Sequence, residues 1–528
     1  MLHYRIRRLK ERNMNRKRMP WMVFSAIVVL ILVACQIPSW VPVTNTPATT
    51  ITASSPPSST TPSATAAPTS TSTQAPGSLS APSPGAAGIG DPYFPTMGNG
   101  GYDVVHYTLD LDVNMDQNVI DGEAILQMEA TQALSRFNLD FEGLTVDRVS
   151  VGGHSADYER ADGELIVTPP TPIADRASFT VTVAYHGTPG EGLPDGRRTF
   201  ARGWVHYGDG VLVAGEPTGA ARWYPVNQHP LDKATYTFRI TVDEAYNVAA
   251  NGFLIETQEN GSTRTFVWET RDPVASYLVT VAIGNFDRES EEGEVPIRNY
   301  FAAELPRSVR QSFRRTSEMI EAFEPSFGPY PFDVYGVVVH NVPLSFALET
   351  QTLTVFGRNV VGELIVAHEL AHHWFGNSLT PAAWKHIWLN EGFASYAANL
   401  WTEYAYGTSA AERSMRDLYR TLASDRGRQD VTIGDPGPNQ LFSWEVYNRG
   451  ALTLYALRAR IGDDAFFETL QTYTDRFRNS NVTTEDFVQV AEEASGQNLE
   501  DFFNSWLFET SVPDIPERGL YAEDFASG

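Results

Sequence analysis

His368 and His372 stand four residues apart with Glu369 beside the first, in the stretch IVAHELAHHWFGN, and a further carboxylate, Glu391, follows in WLNEGFASY. Four residues is just over one helical turn, so a helix here puts both imidazoles on one face. The pattern H-E-x-x-H has a physical logic: two imidazole ligands for zinc and a carboxylate placed to take a proton from water. The flanking VGELIVAHELAHHWFG is apolar enough to read as a buried helix. Polar groups facing a core without partners are costly, and a metal offsets that cost. A catalytic zinc needs a third protein ligand and one open position. Glu391 is the candidate, separated from His372 by eighteen residues and lying in a second helical pattern. A helix, a short loop and an antiparallel helix would return it to the level of the histidines. His373 and His386 read as packing or surface residues rather than ligands.

These side chains need elements to hold them. From Tyr102 to about Asp287 the pattern has period two, in runs such as VVHYTLDLDVNM, SFTVTVAYHG and ATYTFRITVD, with turn residues between. That predicts a β-sheet domain over 91–287. Beyond it, RSVRQSFRRTSEMIEAFEPSFG has helical spacing, YGVVVHNVP and LETQTLTVFG read as strands, and helices dominate from Val361 through Leu507, interrupted by a loop-rich segment, Asp425 to Gln440. The expected architecture is multidomain: an N-terminal all-β sheet domain, then an α+β, mainly α, catalytic domain over 288–520.

The N-terminal stretch is different in kind. A strongly basic segment of twenty residues precedes an apolar run of fourteen, Trp21 to Ala34, which is signal-core length and short for a bilayer span. The run ends in Leu32-Val33-Ala34-Cys35, and Cys35 is the sole cysteine, so no intramolecular disulfide is possible. This resembles a bacterial lipobox. It predicts a signal peptide over 1–34, lipid on Cys35 and an extracytoplasmic, membrane-anchored body; an uncleaved signal anchor is the alternative. From 35 to 90 the chain is largely Ser, Thr, Pro, Ala and Gly, which reads as a disordered tether. The net charge of −25 argues against a nucleic-acid partner. Oligomeric state is not readable from the sequence.

The pair HELAHHWFGN and WLNEGFASY resembles the zinc aminopeptidase family of aminopeptidase N. The resemblance implies a thermolysin-like catalytic domain, one zinc per chain held by His368, His372 and Glu391, and Glu369 as the residue that activates the attacking water. VYNRGALTLYALR resembles the family's Tyr-x-x-Gly-Ala segment and implies Tyr447 as the transition-state tyrosine. SFALETQT stands where the family has Gly-Ala-Met-Glu-Asn and implies Glu349 as the amine-binding glutamate, although Phe346, Leu348 and Thr350 depart from that pattern. EPTGAARWYPVNQHPLDKATYTF implies a second amine-binding residue at Glu216. Read alone, Tyr447 is more readily a core aromatic, and Glu349 and Glu216 surface ion-pair partners. The implied substrates are peptides with a free N-terminus. The sequence stops soon after GQNLEDFFNSWLFETSVPDIPE, so the further β and helical domains of many members are not expected, and a more open cleft is. Two other readings share parts of the pattern: a zinc endopeptidase, which lacks an amine anchor, and a non-catalytic surface-binding lipoprotein with structural zinc.

Overall fold

The computed structural model describes residues 81–190, 203–424 and 430–525; the leader, Cys35 and the tether up to residue 80 lie outside them. The period-two runs form a nine-stranded sheet in which Lys233–Asp243 lies parallel to Tyr102–Asn114, while Tyr102–Asn114 pairs antiparallel with Val119–Ala130. One face of Tyr102–Asn114 is buried, first at Tyr102 and Val104, then at Tyr107, Leu109, Leu111 and Val113. The change of phase has a cause: a bulge between Val104 and His106 inserts one residue and so flips the alternation.

A smaller sheet of four strands, Gly203–Tyr207, Gly210–Ala214, Val281–Gly284 and Asn247–Ala250, carries the chain toward Glu216, two residues past its second strand. Gly210–Ala214 and Val281–Gly284 are buried throughout and read as continuous apolar runs, as strands covered on both faces do.

The tether expected to run to residue 90 ends earlier. Ser83–Pro84 pairs parallel with Leu134–Asp140; Ser83 N donates to Ala133 O at 3.0 Å and Gly85 N to Arg136 O at 2.8 Å. Composition missed this attachment because it is made by backbone groups, which Ser-, Pro- and Gly-rich segments possess like any other.

A five-stranded sheet opens the second part: Phe286–Glu291, Ile297–Ala302, Tyr335–His340, Thr354–Gly357 and, at the edge, Ala347–Leu348. Its first strand straddles the expected boundary at 287/288. Nine α-helices follow or flank it among the described residues: α1 (Arg307–Gln311), α2 (Thr316–Phe327), α3 (Glu363–Ala371), α4 (Trp388–Tyr406), α5 (Thr408–Ala423), α6 (Trp444–Ile461), α7 (Asp463–Arg476), α8 (Thr484–Ser495) and α9 (Glu500–Leu507). The buried apolar core is continuous from the β part into these helices. None of the described helices is long and apolar enough to cross a membrane.

Helices α4 and α6 meet at backbone distance. A Cβ added to Gly392 would lie 2.8 Å from the Gly450 Cα, so only glycine at both positions allows the approach. Gly392 follows Glu391 directly, and Gly450 lies about one turn after Tyr447. The contact therefore brings Tyr447 to the level of Glu391.

Candidate metal centre

Helix α3 is largely buried, with Val366, Ala367, Leu370 and Ala371 fully buried, and His372 forms its C-terminal cap. Glu391 sits in the first turn of α4, which packs on α3. The expected return of Glu391 is what the structure shows. Its Oε2 lies 3.3 Å from His368 Nε2 and 3.4 Å from His372 Nε2, and the two Nε2 atoms are 3.0 Å apart. Three donors with that mutual spacing can each stand about 2 Å from one common centre, the distance zinc requires. His372 Nδ1 meets Phe375 O at 3.0 Å, so this nitrogen donates to the carbonyl and Nε2 is the ligating atom. Glu391 Oε2 is buried with no hydrogen-bond donor aligned on it.

Electrostatics agree with a cation here. Four carboxylates, Glu216, Glu349, Glu369 and Glu391, are all buried. Burial, reinforced by the neighbouring carboxylates, pushes Glu216 and Glu369 well above the usual range, and Glu349 is raised by the same two effects; His372 opposes the rise at Glu349 and Glu369. Burial would also raise Glu391, but the two histidines outweigh it and hold it at about 2. Burial would lower His372, yet Glu349 and Glu391 drive it up to about 10. The cluster thus draws positive charge onto an imidazole. A dication among the three donors supplies that charge, so the residues fit zinc.

The other expected residues converge on the same place. Glu349 follows the edge strand Ala347–Leu348, and its Oε1 is 3.9 Å from His372 Nδ1. Donor atoms of Glu349, Glu369 and His372 lie within 4.8 Å of one another, as do those of Glu216, Glu349 and Glu391. Glu349 Oε1 and Glu216 Oε1 are both buried without a hydrogen-bond partner. The Tyr447 ring lies nearly parallel to that of His368, centroids 5.9 Å apart. His373 stays outside the cluster, with its Nδ1 2.6 Å from Tyr330 Oη. His386 packs against α8, its Nδ1 accepting from Thr484 N at 3.2 Å.

Three further residues serve the site. Tyr277 Oη donates to Gly376 O at 3.0 Å and faces Glu349 and Glu216, which together with burial keep the phenol protonated. Asn390, fully buried beside Glu391, reaches Tyr277 Oη with its Nδ2 at 3.4 Å. Asn377 Nδ2 donates to Glu349 O at 2.8 Å. Asn377 and Asn390 lie inside the two quoted motifs, and their position there was the available signal; Tyr277 lies in a strand-like run that gave none.

Family models for the "Peptidase M1 N-terminal domain" and the "Peptidase family M1 domain" match residues 104–278 and 312–506. A leucyl aminopeptidase of Saccharolobus solfataricus is 24% identical over 441 residues, covering 78% of this chain and 54% of its own length. Aminopeptidase M1-A of Oryza sativa subsp. japonica is 26% identical over 461 residues, 78% of this chain and 50% of its own. This chain thus spans about half the length of the curated relatives it matches. An M1 zinc metallopeptidase from Deinococcus radiodurans, solved as a mutant bound to a Tyr-Ser-Ala substrate, superposes with a TM-score of 0.76 at 31% identity, over 82% of this chain and 100% of that one.

Proposed function

This chain belongs to peptidase family M1, and from that premise we propose that it is a zinc aminopeptidase removing one residue at a time from peptides with a free N-terminus. The observation that carries the reading is a junction of two constellations: three metal donors spaced 3.0 to 3.4 Å apart, and beside them two buried carboxylate oxygens, on Glu349 and Glu216, without a hydrogen-bond partner. The first suits zinc; the second suits an α-ammonium group.

Bound by His368, His372 and Glu391, zinc would acidify a water molecule and polarise the scissile carbonyl. Glu349 and Glu216 bind the substrate amine beside the metal donors, so that the first peptide bond is the one presented for cleavage. Glu369, on the zinc helix and raised in basicity by burial, takes the proton of the attacking water and later passes it to the leaving amine. Tyr447 donates a hydrogen bond to the developing oxyanion, where a fixed donor is worth most.

A panel of aminoacyl-dye substrates and their N-acetylated forms, with and without chelator, tests this reading. Turnover of free-amine substrates that chelator abolishes is expected. Equal cleavage of blocked and free peptides would instead favour an endopeptidase.

The location follows from residues outside those described. The basic start, the apolar Trp21–Ala34 run and the lone Cys35 support an extracytoplasmic enzyme anchored to the membrane by lipid. Mass spectrometry of the membrane-extracted protein should find an acylated N-terminal Cys35; an unmodified Leu32–Cys35 segment contradicts it.

A further inference from the structure

The turn that follows the zinc helix is held from two sides. Its N–H groups are satisfied within the catalytic part: Asn377 N donates to His372 O at 3.0 Å and Ser378 N to His373 O at 3.1 Å. Three successive carbonyls, those of Gly376, Asn377 and Ser378, accept instead from the β part. Tyr277 Oη takes the first, and Lys233 Nζ takes the next two, each at 3.0 Å. Lys233 opens the strand Lys233–Asp243 and pairs with Ala275, two residues before Tyr277. Lys233 thus opens one strand, and Tyr277 lies in the 3-10 turn Ser276–Leu278 that directly follows the short strand paired with it. Among the described residues no carboxylate lies within ion-pair distance of Lys233, so the two carbonyls are its principal partners.

The turn also carries a direct hydrogen bond to the amine anchor. Asn377 Nδ2 donates to the backbone carbonyl of Glu349 at 2.8 Å, while its own carbonyl accepts from Lys233 and from Thr380 Oγ1 at 2.9 Å. We propose that Lys233 is a positioning residue: by clamping the Asn377 and Ser378 carbonyls, it fixes the Asn377 side chain on Glu349 and so sets the amine anchor against the metal donors. Burial lowers the Lys233 amine to about 7, and either charge state keeps at least two N–H bonds for the two carbonyls. The role in amine binding rests on the aminopeptidase reading; the clamp itself does not.

Lys233→Met keeps the aliphatic stem and removes the donors. Zinc should stay at one per chain, since no metal ligand is touched. KM for a free-amine aminoacyl dye should rise about tenfold with kcat within about twofold, because a small displacement of an anchor weakens binding. Lys233→Arg, which restores donors, should recover KM to within about threefold. Asn377→Leu should raise KM similarly, and the double variant no further, because both act through one route. An unchanged KM in Lys233→Met, a fall in kcat alone, or additive effects in the double variant would each overturn the proposal. A crystal structure of Lys233→Met, or of Lys233→Gln where that variant fails to fold, gives a readout independent of activity. The Asn377 side chain should leave Glu349 O; if it and Glu349 stay in place, the clamp is refuted even where turnover of aminoacyl dyes, and with it the aminopeptidase reading, has failed.

Discussion

The three candidate metal donors His368, His372 and Glu391 come from one short stretch of chain and two packed helices, whereas the pair proposed to bind the amine comes from distant places: Glu216 from beyond the small β sheet and Glu349 from the edge of another. The first constellation is fixed by helical repeat, one loop and the Gly392–Gly450 contact. The second exists only when the β part is docked on the catalytic part, through contacts such as Tyr277 on Gly376. Damage to the first should therefore appear as lost metal or lost chemistry. Damage to the second should appear as weakened binding with the metal in place.

The largest expected effect is at the metal end. His372→Ala removes a ligand that also packs at the α3 terminus, and purified protein should carry little zinc and no turnover above background. Elemental analysis beside a dye assay measures both; full metal with full activity would break the assignment. Glu369→Gln comes next. It keeps shape and leaves all three ligands, so zinc should remain while kcat falls on the order of a hundredfold or more. A near wild-type rate would end the claim that Glu369 moves the proton.

The amine end should respond differently. Glu349→Gln removes the carboxylate proposed to hold the substrate amine, and KM for free-amine dyes should rise about tenfold or more with zinc retained, as expected for the loss of a buried charged partner. Glu216→Gln keeps an oxygen acceptor beside an intact Glu349, so its rise should be smaller, about threefold. A variant at either position that loses zinc before it loses affinity would show that the two constellations are not separable.

The same contrast explains what could be read from the sequence. The metal end was legible because its rule is local: the spacing of His368 and His372 and a second helical pattern around Glu391 suffice. Glu349, Glu216 and Tyr447 were legible only through resemblance, since no periodicity says that an edge-strand carboxylate and a loop carboxylate will meet. Lys233 and Tyr277 were passed over because each sits in a run that reads as an ordinary strand, and their donors matter only across the interface. The early attachment at Ser83–Pro84 escaped because it is a backbone contact. The bulge at Val104/His106 likewise left the β reading intact but shifted which side chains face inward.

The smallest expected effect lies farthest from the chemistry and tests how tightly the β part is joined to the helices. Asp91 is buried where the N-terminal segment meets both parts. Its Oδ2 accepts from Trp384 N at 3.0 Å and meets His229 Nε2 at 3.2 Å, while Oδ1 accepts from Tyr93 N at 2.8 Å and Phe94 N at 3.0 Å. Burial alone would raise this carboxyl; the His229 side chain and the three N–H donors outweigh it and lower it from 3.8 to about 2. A carboxyl lowered on folding stabilises the fold above its unfolded value and loses that contribution as pH falls. The Asp91 term is therefore complete above about pH 4 and fades through about pH 2. Asp91→Asn puts an amide where two N–H groups need an acceptor, and at neutral pH it should cost about 1–3 kcal/mol of stability in urea unfolding. The variant should also lack the wild type's loss of stability between about pH 4 and pH 2. KM should move less than twofold, because no atom of Asp91 bonds the turn or the anchors. A shift in KM without a shift in unfolding midpoint would mean that this junction steers the amine end directly, and the separation between a local metal end and a docked amine end would have to be redrawn around Asp91.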